Sequence, residues 1–270
     1  MRLNTMESNL ETDARQRWVG ASPEGLASAM VLAAGRGERM RPLTDTAPKP
    51  MLKVHGKPLM QWHMEALAKA GHPDQLINTA WLGPQIEAHF GLNPDLPNGG
   101  RVRLRYSHEG KEFGYALETA GGIVRALPFL APVFWVVAGD IYAPQFDFAP
   151  AIAKEFVRSD KLAHIWLVPN PAHNPKGDFG LSSEGLALNL PKTATLFTFS
   201  TLALYKKEFF AAALTGMPEG NPQGKAAPLA PLLRAAMDRG LVSASLYTGA
   251  WTDVGTPERL RDLNQSPATP

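Results

Sequence analysis

Two hydrophobic rhythms alternate along this chain. Residues 29–34 form an unbroken apolar run, the pattern of a strand buried on both faces. After Gly56-Lys57-Pro58, apolar residues recur at Leu59, Met60, Met64, Leu67 and Ala70, with Trp62 and His63 among them. That spacing predicts a helix, with Pro58 near its first turn and Gly71 at its C-terminal cap. His63 on that face reads as a packed core histidine. Short strands are predicted at 76–80 and 102–107, with a helix at 85–90 between them and a loop at 93–100. A Gly-rich turn at 117–122 opens a helix running to 127.

Residues 133–140 make the most continuous strand, apolar on both faces until Gly139 and Asp140. A helix is predicted at 146–158, strands at 163–168 and 195–204, a helical turn at 209–214 and a helix ending near 239. A strand at 241–248 and a last helix from Pro257 complete the pattern. Strand and helix alternate throughout, so the expected fold is α/β, a doubly wound, mostly parallel Rossmann-like sheet. No hexapeptide repeat follows, so no β-helix domain is expected. The organisation reads as a tail at 1–27, one domain at 28–264 and a short tail at 265–270.

Composition narrows the classes. The 270 residues are 44% hydrophobic, enough for one large α/β core. The formal net charge is +2, so no general basic surface for nucleic acid is expected. There are no cysteines, which removes disulfides, thiolate metal sites and a cysteine nucleophile, and suits a reducing, cytoplasmic setting. No apolar run approaches the ~18–20 residues of a membrane span. Residues 1–25 lack the apolar stretch of a signal peptide.

The candidate chemistry begins where the first strand ends. Gly35-Arg36-Gly37 follows it directly, then Arg39, Arg41 and, between two prolines, Lys49. Glycines let backbone N–H groups approach an anion, and Pro48 and Pro50 stiffen the segment that carries Lys49. That combination suits a polyphosphate. A dinucleotide fingerprint needs a third glycine where Met40 stands, and a Walker A loop needs Lys after Gly37, where Glu38 stands. Gly177-Asp178-Phe179-Gly180 lacks the companion motifs of a protein kinase.

Leu32-Ala-Ala-Gly-Arg-Gly-Glu-Arg-Met-Arg-Pro-Leu-Thr44, followed by Pro48-Lys-Pro50, resembles the signature of the sugar-1-phosphate nucleotidylyltransferases. The resemblance extends to residue 263 through Leu117-Glu-Thr-Ala-Gly-Gly122, Asp140 and Trp251-Thr-Asp253-Val-Gly-Thr-Pro257. It implies the nucleotide-diphospho-sugar transferase fold and a site shared by a nucleoside triphosphate and a sugar 1-phosphate. By resemblance, Arg39 and Lys49 are catalytic. The nucleotide falls to Ala34, Gly35, Gly37, Glu38, Arg39, Lys49, Glu109, Thr119, Gly121 and Gly122. The sugar falls to Ala138 and Asp178, and Mg²⁺ to Asp140 and Asp253.

Each assignment has a plainer reading. Asp140 also reads as a loop cap, Gly177-Asp178-Phe179 equally as a hairpin turn, and the 117–122 glycines as an ordinary loop. Ala138 departs from the asparagine common in the family at that place, and Ala120 and Thr201 depart too.

The implied reaction moves a nucleotidyl group onto a sugar 1-phosphate and releases pyrophosphate. UMP transfer to N-acetylmuramate 1-phosphate is the first expectation, suggested by Asn78-Thr-Ala-Trp-Leu-Gly83. GMP transfer to mannose 1-phosphate is the second, and a non-catalytic nucleotide-sugar-binding subunit the third. A monomer or small homo-oligomer is expected, without nucleic-acid or membrane partners.

Overall fold

The computed structural model describes residues 26–190 and 195–267. Of the expected tail at 1–27, residues 1–25 lie outside them, as do the last three residues, while Ala27 already belongs to the first strand.

Among the described residues the central sheet has nine strands. Strand β1 (Ala27–Ala33) leads through helix α1 (Leu59–Lys69) to β2 (Asp74–Thr79), then through α2 (Gly83–Phe90) to β3 (Arg103–His108). Helix α3 (Glu118–Ala126) leads to β4 (Leu130–Ala138), which returns to the other side of β1. These four strands are parallel, in the order β3-β2-β1-β4. A two-residue strand β5 (Ile141–Tyr142) and helix α4 (Pro150–Arg158) precede β6 (Ala163–Val168). The small strands β7 (Phe179–Leu181) and β8 (Ala187–Leu188) extend one end of the sheet through the long β9 (Leu196–Lys206). Strand β9 is antiparallel to both β4 and β6. Helix α5 (Ala230–Met237) leads to β10 (Val242–Leu246), parallel to β6. The chain closes with β11 (Thr252–Asp253) and α6 (Pro257–Gln265).

The mostly parallel, doubly wound sheet is as expected, and β1 explains its layering. Ala29, Val31 and Ala33 pack with Met60, Met64 and Leu67 of α1, while Met30 and Leu32 face α3 through Ile123 and Val124. A strand covered on both faces cannot alternate polar and apolar residues, hence its continuous apolar run.

Three local expectations are corrected. The helix predicted from residue 146 starts only at Pro150, because Ala149 precedes a proline and is extended. Phe146 and Phe148 instead turn inward, their rings edge-on to Trp135 at centroid distances of 6.1 and 5.1 Å. The turn at 209–214 splits into Lys207–Phe210 and Ala212–Thr215, with Ala211 extended between them. The loop at 93–100 contains part of a small antiparallel pair, Asp95–Leu96 with Gly100–Arg101.

Candidate active site

The site lies where β1 and β4 end side by side, at the carboxyl edge on which open α/β sheets place ligands. A cavity of about 620 Å³ opens there. From the first loop it takes Ala34, Gly35 and Lys49, from β4 Ala138, from the turn after it Asp140, and from the start of α3 Thr119.

The loop after β1 is held by its own side chains. Gly37 has φ +68°, and a Cβ there would stand 3.0 Å from Thr44 Cγ2 and 3.2 Å from Lys49 Cβ. Thr44 Oγ1 donates to the Gly37 carbonyl at 2.8 Å. Arg36 donates to the Thr44 carbonyl and to Asp45, both at 3.0 Å, and its guanidinium lies 3.8 Å over the Trp81 ring. Arg41 pairs with Asp45 at 2.8 Å. These two arginines, Arg36 first, hold the Asp45 carboxyl below the usual carboxylate range. Arg36 and Arg41 are therefore engaged within the loop. Arg39 is exposed and makes no ion pair among the described residues, whereas its neighbour Glu38 lies 3.7 Å from Arg36 and 3.9 Å from Arg41. No atom comes within 4 Å of where a Cβ of Gly35 would stand, so that face of the loop is open.

Lys49 is the buried cation. Pro48 is extended and Pro50 follows in a tight turn, so the backbone delivers the side chain inward. Its Nζ lies 2.5 Å from Asp140 Oδ2. Asp140 is presented just past β4 by Gly139, whose N–H donates to the Leu32 carbonyl at 2.8 Å. A Cβ at Gly139 would stand 2.9 Å from that same oxygen.

Asp253 reaches the same edge. Strand β11 pairs with β5, setting Asp253 opposite Ile141, and Val254 N donates to the Asp140 carbonyl at 3.0 Å. Asp140, the residue before β5, thus lies beside Asp253 of β11 through the backbone, though Asp253 is not part of the cavity lining. Their carboxylates hold different partners: Asp253 pairs with Arg259 and with His173, the latter at 2.7 Å.

Behind the cavity a buried network ties three segments together. Asn78, at the end of β2, accepts from Ala33 N at 3.0 Å and donates to Glu109 at 2.7 Å. Glu109 also accepts from Leu117 N at 2.7 Å. Burial pushes the Glu109 carboxyl up to about 7, against the lowering effect of these hydrogen bonds. Gly121 and Gly122 belong to the same wall. A Cβ on Gly121 would meet the Lys225 carbonyl at 2.5 Å, and one on Gly122 would meet Glu109 at 2.5 Å. Gly121 N already donates to the Ala227 carbonyl at 3.1 Å.

The sugar assignments sit differently. Ala138 lines the cavity with a methyl group. Asp178 is not part of the lining; its carboxylate accepts from Phe199 N at 2.9 Å and from Asn174 at 3.2 Å. Among the lining residues that carried no site assignment from the sequence are the polar Asn78, Glu118, Thr201 and Tyr205. The available signal for Asn78 was its place in Asn78-Thr-Ala-Trp-Leu-Gly83, directly after the apolar Leu76-Ile77 of the strand.

Residues 28–269 match the nucleotidyl transferase family. The chain is 43% identical over 236 residues to an N-acetylmuramate alpha-1-phosphate uridylyltransferase of Neisseria meningitidis, spanning 87% of this chain and 95% of that protein. It is 30% identical over 238 residues to one from Caulobacter vibrioides, spanning 85% and 92%. In fold it resembles a Bacillus anthracis crystal structure described as a candidate glucose-1-phosphate thymidylyltransferase. The TM-score is 0.69 at 20% identity, over 88% of this chain and 93% of that one. The chain belongs to the nucleotidyl transferase family, and the expected class, a sugar-1-phosphate nucleotidylyltransferase, stands. Among the described residues no helix is long and apolar enough to cross a membrane.

Proposed function

We propose that this enzyme transfers UMP from UTP to N-acetylmuramate 1-phosphate, giving the nucleotide-sugar and pyrophosphate. Such an activity would return a cell-wall amino sugar to the nucleotide-sugar pool, in the cytoplasm. The observation that carries the transfer chemistry is the Lys49–Asp140 pair on the wall of a cavity that also exposes Gly35.

In the reaction an oxygen of the sugar phosphate attacks the α-phosphorus, and the bond to the pyrophosphate oxygen breaks. The attacking phosphate has a second pKa of about 6 and is largely ionised near neutral pH. No general base is needed, and positioning and charge neutralisation carry the step. Lys49 holds the α-phosphate and the incoming sugar phosphate. Arg39, the unengaged arginine of the loop, holds the β- and γ-phosphates. Gly35 leaves room for the triphosphate to lie against the backbone.

Mg²⁺ fits the donor set. Asp140 and Asp253 are hard oxygen donors joined by the Val254 N–Asp140 carbonyl bond, and Asp140 lines the cavity about a third exposed. Among the described residues there is no group of three such donors, and Mg²⁺ commonly takes one or two carboxylates and completes its shell with water and phosphate. Asp140 and Asp253 would hold it, and it would supply charge neutralisation at the triphosphate.

Two near-full-length relatives with a uridylyltransferase name support the choice of base and sugar. By contrast, a mannose-1-phosphate guanylyltransferase catalytic subunit from Drosophila pseudoobscura matches over only 42% of this chain. The test is pyrophosphate release measured for ATP, CTP, GTP, UTP and dTTP against the 1-phosphates of N-acetylmuramate, N-acetylglucosamine, mannose and glucose. UTP with N-acetylmuramate 1-phosphate should give the highest kcat/KM, and preference for another pairing would overturn the assignment.

A further inference from the structure

On the sheet side of the cavity, β4 and β9 run antiparallel and present alternate residues to the ligand space: Val136 and Ala138 from one, Phe199, Thr201, Ala203 and Tyr205 from the other. Four of these six are hydrocarbon. The two residues that the sequence nominated for the sugar offer no polar group on this wall: Ala138 brings a methyl, and the Asp178 carboxylate is engaged with Phe199 N and Asn174. Of the six, Thr201 and Tyr205 carry a side-chain oxygen; Tyr205 is fully buried, and Thr201 is the one that remains partly exposed.

Thr201 is also the backbone anomaly of the wall. Its φ is +62°, a left-handed conformation that a β-branched residue strongly disfavours. The bend coincides with a register shift between β6 and β9. It is fixed from three directions. Ser200 Oγ donates to the Trp166 carbonyl at 2.7 Å and accepts from Leu202 N at 3.2 Å. Trp251, two residues before Asp253, donates its indole N–H to the Ser200 carbonyl at 3.1 Å. Thr201 Oγ1 donates to that same carbonyl at 2.6 Å. With its proton committed there, Oγ1 retains only acceptor capacity. Strain held in place by surrounding structure, on a residue that faces a ligand cavity, points to a role in the site.

We propose that Thr201 is a specificity-determining residue for the sugar, its fixed Oγ1 accepting a hydrogen bond from a hydroxyl or amide N–H of the sugar 1-phosphate. This rests on the reading of the cavity as a sugar-phosphate site. Without Thr201 a donor on the sugar would be buried against hydrocarbon with no partner, which is the situation that discriminates most strongly between substrates.

The test compares Thr201→Val, Thr201→Ser and Thr201→Gly with the parent, by steady-state pyrophosphate release and by calorimetric titration with UDP-N-acetylmuramate and with UDP. Thr201→Val keeps the shape and removes the acceptor. It should raise KM for the sugar phosphate roughly tenfold, with KM for UTP little changed. It should weaken UDP-N-acetylmuramate in the same proportion and leave UDP binding alone. Thr201→Ser should recover most of the loss. Thr201→Gly should melt at a higher temperature, because the strain is relieved, and still show the KM penalty, which a purely structural threonine would not produce. Valine and glycine variants that bind the nucleotide-sugar like the parent would overturn the inference, as would equal losses for UDP and UDP-N-acetylmuramate. Failure of the parent to release pyrophosphate with any pairing would overturn the proposed function instead, while the calorimetry would still read the Thr201 contact.

Discussion

Lys49 and Asp140 form an ion pair that joins the loop after β1 to the end of β4, with Nζ and Oδ2 2.5 Å apart. Each group is delivered by a backbone device: prolines on both sides of Lys49, and a glycine before Asp140 that hydrogen-bonds to β1. The pair holds the Lys49 side chain in place before substrate arrives, which is the kind of preorganisation that lowers a barrier at developing phosphate charge.

Lys49→Ala should therefore lower kcat by about 100-fold or more. It should cost little stability, because Asp140 is about a third exposed and water takes over its solvation. Thermal melts and single-turnover rates separate the two effects. A variant that turns over near the parent rate would remove Lys49 from the mechanism.

Asp140→Asn tests the metal assignment separately from turnover. It should weaken Mg²⁺-dependent triphosphate binding at least as much as the roughly 10- to 100-fold cost of losing an outer-shell partner in a metal site. Asp253→Asn should do the same, and it should also release Arg259 and His173, the present partners of that carboxylate. Isotherms for UTP with and without Mg²⁺ read this directly. Identical Mg²⁺ dependence in parent and variants would sink the assignment.

Glu109 makes stability depend on pH in an unusual direction. Burial raises its carboxyl from the ordinary 4.5 to about 7, so the folded protein binds this proton more tightly than the unfolded chain. The contribution is fully present below pH 4.5 and is lost as pH rises to about 7. A shift of that size corresponds to about 3 kcal/mol. The melting temperature of the parent should thus fall relative to Glu109→Gln between pH 5 and 8. His63 and His164 act oppositely. Burial lowers both to about 4, so their contribution is present above pH 6.5 and lost as pH falls toward 4. Comparison at each pH with Glu109→Gln isolates the carboxyl, and parallel melting curves for the two proteins would refute its burial-driven shift.

Much of this architecture was legible in the sequence because local pattern and tertiary role agree. The apolar runs at β1 and β4 are strands covered on both faces, and Gly35, Lys49 and Asp140 stand where glycine, proline and strand-end patterns put them. What was hidden depends on contacts between segments far apart in sequence. Arg36, Arg39 and Arg41 look alike in the sequence, and only Trp81 and Asp45 separate the engaged pair from the free one. Gly121 and Gly122 read as ligand-facing, yet the Lys225 carbonyl and Glu109 occupy the space beside them. The left-handed bend at Thr201 has no local signal, because a β-branched residue is the last one expected there.

The Trp81–Arg36 contact gives a final prediction about the phosphate loop. Trp81 supports it twice, by the ring face under the Arg36 guanidinium and by Nε1 donating to the Thr44 carbonyl at 2.8 Å. A cation–π contact at a partly exposed site is worth about 0.5–1 kcal/mol, and a hydrogen bond of this kind about 1 kcal/mol. Trp81→Ala should therefore destabilise the protein by about 1–2 kcal/mol. It should also raise KM for UTP more than KM for the sugar phosphate, because Arg36 braces the loop that carries Gly35 and Arg39. Trp81→Phe retains a ring face and loses only the donor, so about half of each effect should return. Denaturant melts and paired KM measurements decide the matter. If alanine and phenylalanine variants behave alike, the stacking contact contributes nothing, and the hydrogen bond to Thr44 alone holds the loop.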